Sequence, residues 1–316
     1  MPLFTFNSES FRSSHAIVLL SLALLLYFAA LEFVMQTVVP RASQVERRHN
    51  ADHQAALRLS RHAPQGMKTV LIVGNSLLQE GIDRDKLREV SSSHYRVAVL
   101  PIENTTYLDW FFGLRRLAME GSTPNVIVLC LNVRQLLSNS TNGEGFAHSM
   151  MWIGDILEVA KTTGLDSTST SNYFFANLSA WLGGRWFIRN WVLEKWMPNA
   201  KTLVDLFTPR GAVTPIPLET IVEQTIQRLK KLQDLCETFG AQFVFLVPPA
   251  MSGADSLTKI QSAAAETKIS VLIPFKPGEM PAAAFSDRFH LNANGARIFT
   301  ERFAILLSES LARGRE

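Results

Sequence analysis

The chain has 316 residues, 47% of them hydrophobic and 19% charged, with a formal net charge of +3. That length suits one large α/β domain plus an accessory segment, and the apolar share adds a membrane contribution. A charge this small, with no concentrated basic face, excludes a nucleic-acid footprint. Two cysteines, Cys130 and Cys236, do not make a disulfide framework; both lie in apolar patterns and are expected as buried free thiols.

Residues 1–15 form an N-terminal tail. Ala16–Leu31 then carries no charge, and after Glu32 the apolar character resumes from Phe33 to Val39. At 1.5 Å per residue, residues 16–39 measure about 36 Å as a helix, enough to cross a hydrocarbon core of about 30 Å with some tilt. A cleaved signal peptide ending at Ala29-Ala30 is the rival reading, but the apolar run is too long for one and continues past those alanines. An uncleaved signal anchor in the bilayer is expected, with Glu32 near one interface. Arg12 precedes the span and Arg41, Arg47 and Arg48 follow it. Taken alone that argues for a cytoplasmic C-terminus, although the rule weakens when a long domain follows.

Residues 40–66 read as a stalk or linker, helical and ending at Pro64-Gln65-Gly66. From residue 67 to 316, strand and helix patterns alternate. Strands are expected at Thr69–Val73, Tyr95–Leu100, Asn125–Leu131, Gln242–Val247 and Ser270–Ile273. Helices are expected near Asp83–Val90, Thr105–Glu120, Leu218–Phe239 and Asn294–Ala312. In the last of these, Ile298, Phe299, Phe303, Leu306 and Leu307 are expected to face inward. Short apolar strands alternating with helices imply a parallel sheet covered on both faces, a three-layer α/β/α fold.

Residues 139–216 break this rhythm as an insertion between the third and fourth strands. They hold Trp152, Trp181, Trp186, Trp191 and Trp196, five of the six tryptophans. Three readings stay open for them: a helical subdomain with its own tryptophan core, a lid contacting sugar rings, or a patch on the membrane surface. The second makes Trp181, Trp186 and Trp191 substrate-binding candidates; Arg185, Arg189 and Lys195 nearby suit the third.

The chemistry-bearing residues lie at strand ends. Val70-Leu-Ile-Val-Gly-Asn-Ser76 is an apolar run ending at Gly74, with Ser76 at the mouth of the turn. The carboxyl ends of such strands are where an open α/β sheet presents reactive groups. Asn132, after Val126-Ile-Val-Leu-Cys-Leu131, falls on the same edge, where its amide can donate to a developing oxyanion or simply end the strand. Asp287 and His290 stand three apart before the last helix, close enough for the carboxylate to orient the imidazole. A serine needs such a base to become a nucleophile. No second histidine stands at ligand spacing, so no metal is expected. Strand, glycine and turn at Gly74 also suggest a nucleotide site, but neither Gly-x-Gly-x-x-Gly nor a Gly-x-x-x-x-Gly-Lys-Ser/Thr loop is present.

Gly74-Asn75-Ser76-Leu77, Asn132, Asp287-x-x-His290, Phe245-Leu-Val-Pro-Pro249 and His290-Leu-Asn-x-x-Gly295 together resemble the SGNH (GDSL-like) hydrolase superfamily. The likeness spans about residues 67–135 and 241–312. It is nearest the branch of membrane-anchored or periplasmic O-acyltransferases and esterases of cell-envelope polysaccharides. The resemblance implies Ser76 as nucleophile, His290 as base and Asp287 as its orienter. It implies an oxyanion hole from Asn132 and the Ser76 backbone N–H. Asn75 stands where the GDS form has aspartate, and Cys130 where a glycine usually precedes the block-three asparagine by two positions. The family's second-block glycine, which supplies a further oxyanion N–H, has no clear match in Pro101-Ile-Glu-Asn-Thr-Thr106, where Asn104 or Thr105 lies near its place as the candidate oxyanion donor. The function implied is transfer or hydrolysis of an acyl group through an acyl-serine, without a cofactor. The implied partners are an acyl donor, a polysaccharide acceptor and an integral-membrane acyltransferase, with the catalytic domain periplasmic or extracellular. The rival is a module that kept the fold and binds a glycan or an assembly partner without turnover.

Overall fold

The computed structural model describes residues 8–59, 67–91, 95–185, 188, 196–197, 218–251, 254–267 and 269–313. Five parallel strands form one sheet: β1 (Lys68–Gly74), β2 (Tyr95–Pro101), β3 (Val126–Cys130), β4 (Gln242–Leu246) and β5 (Ser270–Leu272), in the order β2-β1-β3-β4-β5. The expected α/β/α layering is therefore what the chain adopts, and all five strands lie within two residues of their expected bounds. Central strands buried on both faces must be apolar at every position, and alternate side chains go to opposite layers. Leu71, Val73, Ile127, Leu129, Phe243 and Phe245 enter one core. Val70, Ile72, Val126, Val128, Val244 and Leu246 enter the other.

The N-terminal helix α1 (Ser8–Thr37) is followed by α2 (Gln44–Leu57). Over residues 15–41 the chain is long and apolar enough to cross a membrane, the most apolar 18 residues of that stretch having a mean hydropathy of 2.5. The stretch read as a stalk is, along α2, no free spacer. Ala56 is fully buried in the first core, Asp52 pairs with Arg84, and Arg48 and His49 pair with Glu103 in the loop after β2. Alanines that look like spacer residues in a linear reading are here the small side that lets a helix approach. Burial works against the charge of Glu103, but the hydrogen bond from His49 and the charges of His49 and Arg48 hold its carboxyl down to about 2. A depressed carboxyl stabilises the fold above its ordinary value of 4.5, and that contribution disappears as pH falls towards 2. Thermal melts between those two pH values should show a steeper loss for the wild type than for Glu103→Gln; equal slopes would remove the pair from the acid response.

Four helices follow in the alternation: α3 (Ser76–Gly81), α4 (Arg84–Ser91), α5 (Tyr107–Met119) and the single turn α6 (Val133–Leu136). The insertion contributes α7 (Gly143–Met150), α8 (Ile156–Thr163) and α9 (Ser167–Leu178). Its described core is not built on tryptophan: Phe146, Met150, Met151, Ile156, Val159 and Tyr173 continue the first sheet core, while Trp152 and Trp196 are exposed. Trp110 on α5, outside the insertion, is the fully buried one. Then come α10 (Leu218–Thr238), α11 (Ala254–Thr267) and α12 (Ala293–Arg313). In α12 the buried stripe is Phe299, Phe303, Leu307 and Leu311. Ile298, expected inside, is turned outward, because a residue one before a stripe is rotated about 100° from it. Cys130 and Cys236 are free and buried, and burial pushes the Cys236 thiol up to about 12.

Candidate active site

The chain runs from β1 out to β2 on one side and then crosses to β3 on the other. The switch point of the sheet, where open α/β folds place ligands, thus lies at the ends of β1 and β3. Gly74 closes β1 opposite Cys130. A Cβ at this position would sit 2.6 Å from the Cys130 carbonyl oxygen and 3.0 Å from Leu78 Cβ, so only glycine lets the strands and α3 come together here. Asn75 caps α3, its Oδ1 accepting from Leu77 N–H at 3.0 Å. Its Nδ2 donates to the Thr105 carbonyl at 3.0 Å. Asn75 therefore binds the end of β1 to the loop after β2. Ser76 follows as the first residue of α3, half-buried, and its backbone N–H carries no hydrogen bond among the described residues.

The loop between β5 and α12 carries the other half. Phe285 and Leu291 form an antiparallel bridge at its neck, and Asn292 Oδ1 accepts from Gly295 N–H at the start of α12. Inside the loop, Asp287 Oδ1 accepts from the backbone N–H groups of Phe289 and His290, both at 2.7 Å. Its Oδ2 meets His290 Nδ1 at 2.8 Å, and His290 Nε2 meets Ser76 Oγ at 3.1 Å. The hydrogen bond from the His290 ring, then those from the His290 and Phe289 backbones, hold the Asp287 carboxyl down to about 2. An ionised carboxylate only accepts, so Nδ1 carries the proton in neutral His290 and Nε2 is left to accept from the serine hydroxyl. The structure thus brings Ser76, His290 and Asp287 into one hydrogen-bonded chain.

Asn132 follows β3 as the cap of α6: its Oδ1 accepts from Gln135 N–H at 2.9 Å, leaving Nδ2 without an intramolecular bond among the described residues. It stands two residues beyond Cys130 as Ser76 stands two beyond Gly74, and those two residues are register partners. Asn104 is exposed, with φ at +60°, the left-handed region that glycine favours. No hydrogen bond joins Asn104 or Asn132 to Ser76. The loop bearing Asn104 is supported from below, where buried Trp110 Nε1 donates to Thr105 Oγ1 at 2.9 Å. It is also bound to the insertion. Asn142 Nδ2 donates to the Glu103 carbonyl, Thr106 Oγ1 donates to the Ser140 carbonyl, and buried Asp109 Oδ1 accepts from Asn142 N–H. Burial pushes the Asp109 carboxyl up to about 7 despite these donors.

Trp181 is not gathered with this group. Its backbone N–H donates to Glu32 on α1. Trp186 and Trp191 lie outside the described residues. Linear reading also missed the second bond of Asn75 and the part played by Thr105. The Thr106-x-x-Asp109 capping box was a legible sign that the loop is fixed at that point. Among the described residues no cluster of three or more histidine, cysteine or acidic side chains could hold a metal.

No protein-family model matches the chain, and no curated protein matches it. Solved structures of related architecture include an alpha/beta hydrolase from the metagenome of Lake Arreo, Spain, at 12% identity and a TM-score of 0.40, covering 76% of this chain and 95% of that one. TesA aligns at 14% identity and a TM-score of 0.39, over 77% of this chain and 99% of its own. The acetylxylan esterase Axe2 of Geobacillus stearothermophilus aligns at 13% and 0.38, over 76% and 94%. Overlap this loose leaves function to the side chains.

Proposed function

We propose that the chain is a serine-dependent acyl-group enzyme of the hydrolase kind, working through an acyl-serine intermediate. One observation carries this reading: the continuous link from Asp287 Oδ2 to His290 Nδ1 and from His290 Nε2 to Ser76 Oγ, at 2.8 and 3.1 Å. Distances in this range are within reach for proton transfer, and the carboxylate both fixes the imidazole tautomer and stabilises the imidazolium. As Ser76 Oγ bonds to the carbonyl carbon of an ester, His290 Nε2 takes its proton. The tetrahedral oxyanion collapses, the ester C–O bond breaks, and His290 returns the proton to the departing oxygen. Water or a sugar hydroxyl then attacks the acyl-serine by the same steps in reverse. The donors we assign to the oxyanion are the Ser76 backbone N–H and Asn132 Nδ2. Asn104 is the candidate for the oxyanion N–H that the resemblance gives to a glycine, and its φ of +60° is a backbone position glycine favours.

The finer reading is O-acyl transfer to a cell-envelope or exported polysaccharide by a domain anchored through residues 16–39, facing the periplasm or exterior. It takes its support from the sequence resemblance and from the apolar N-terminal helix. An integral-membrane acyltransferase is the donor partner in that reading. A serine-directed fluorophosphonate tests the chemistry. The full-length wild type should label covalently and Ser76→Ala should not. Equal labelling, or none in either, sinks the enzymatic reading and leaves a binding module. For the finer reading, incubation with an acyl donor and oligosaccharides should yield acylated sugar by mass; free acid alone would make the protein an esterase.

A further inference from the structure

The anchor helix and the insertion touch at a point that fixes how deep the domain sits. From His15 to Ala30 the side chains of α1 are exposed all round. At Glu32 this changes. Glu32 Oε1 accepts from Ala180 N–H at 2.7 Å, and Oε2 accepts from Ser179 Oγ at 2.8 Å and Trp181 N–H at 3.1 Å. One turn later Met35 is buried, and a Cβ on Gly184 would lie 2.1 Å from its Cε, so the Met35 side chain packs directly on the Gly184 backbone. Residues 16–31 alone span about 24 Å as a helix, short of the roughly 30 Å of hydrocarbon. The apolar residues after Glu32, among them exposed Phe33, Val34 and Val38, must supply the remainder. Glu32 lies about 10 Å inside the Val39 end of the span at 1.5 Å per residue. The insertion residues bonded to it lie at that depth too.

The neighbouring surface is graded to match. The outward face of α9 begins with Ser167, Thr168 and Ser171 and ends, in the turn next to Ser179, with Phe174, Phe175 and Leu178. These last three are 43%, 54% and 60% exposed, whereas Tyr173 and Ala176 occupy the inward face. Polar residues thus stand away from the anchor and large apolar ones beside it. We propose that Phe174, Phe175, Leu178 and Trp181 are seated in the lipid bilayer itself, beside α1 at about the depth of Glu32, and that Glu32 holds them there. The backbone N–H groups of Ala180 and Trp181, with the Ser179 hydroxyl and the Gln36 amide, satisfy a charge that lipid alone would not. Aromatic rings at the boundary suit an environment apolar on one side and wet on the other. The inference rests on α1 crossing a membrane.

Nitroxide labels on full-length protein in phosphatidylcholine vesicles test both statements separately. Cys130 and Cys236 are buried, so labels go to the introduced cysteine of Leu25→Cys, Leu178→Cys or Ser167→Cys. Relaxation by oxygen over relaxation by an aqueous nickel chelate should be high at positions 25 and 178, and several-fold lower at 167. A lipid-like value at 25 with a water-like value at 178 overturns the inference while keeping the span. Shielding of 178 from both reagents means that protein, a second copy or a partner, covers the face, and overturns it equally. A water-like value at 25 removes the span and the inference with it. Adding Glu32→Ala should lower the ratio at 178 several-fold towards that at 167 while leaving 25 unchanged; a ratio at 178 that stays high removes Glu32 from its holding role.

Discussion

Replacing His290 with alanine is expected to reduce ester turnover by roughly 10⁴-fold or more, as removal of the base from such a linked group does, while leaving the melting temperature nearly unchanged. The imidazole is the one hydrogen-bond partner of Ser76 Oγ among the described residues, so its loss leaves the hydroxyl with no proton acceptor there. Asp287→Asn should lose about as much by a different route. The carboxylate accepts a hydrogen bond from Nδ1–H; an amide that turns its NH₂ to the ring imposes the opposite tautomer and points a proton, not a lone pair, at the serine. Both side chains are partly exposed, which is why stability should hold. Kinetics with a short-chain ester, beside thermal melts of the same samples, decide the matter. Unfolding in both variants would make the pair a structural one, and unchanged turnover in both would end the serine mechanism.

The second large effect is expected at a residue outside the triad, at Gly295→Ala. A Cβ there would meet the Ala284 carbonyl oxygen at 2.2 Å and Leu291 Cδ2 at 3.1 Å. Ala284 and Leu291 lie at the two ends of the loop that holds Asp287 and His290, so the added methyl has to push that loop off α12. Overpacking of this kind costs about 1–3 kcal/mol, more than alanine regains through helix propensity. A displacement near 1 Å at His290 would cost about 10²-fold in turnover. Turnover should fall in samples that remain folded, measured below their melting transition. Wild-type turnover from a destabilised protein would show that the loop yields without moving the imidazole.

Much of the fold was legible because buried parallel strands must be apolar at every position. Val70–Val73 and Val126–Leu131 therefore stand out, and helices between them follow from the alternation. Asp287 and His290 were legible for a local reason, since three residues in a loop suffice to bring a carboxylate to an imidazole. Their meeting with Ser76 spans 214 positions of sequence and depends on the sheet order, which no local spacing encodes. Helix α11 was missed because Ser262-Ala-Ala-Ala265 has helix propensity but little apolar period. Ile298 was misplaced because a hydrophobic run records apolarity and not rotation. The docking of α2 went unread for a related reason: Ala56 is buried in the core, yet alanine carries almost no hydrophobic signal. Glu32 read as a residue tolerated near an interface. Two of its partners, the backbone N–H groups of Ala180 and Trp181, have no letter in the sequence, and a third, Ser179, lies 147 positions away.

The three hydrogen bonds between residues 140–142 and Glu103, Thr106 and Asp109 carry a consequence for selectivity. A swinging cover needs a pivot at its root, and the root of this insertion is bolted to the loop that bears Asn104. This described end of the insertion therefore moves with that loop and not against it. If Ser76 performs the proposed chemistry, a change of substrate preference calls for new side chains on the loop around Asn104, not for a freer joint at residues 140–142.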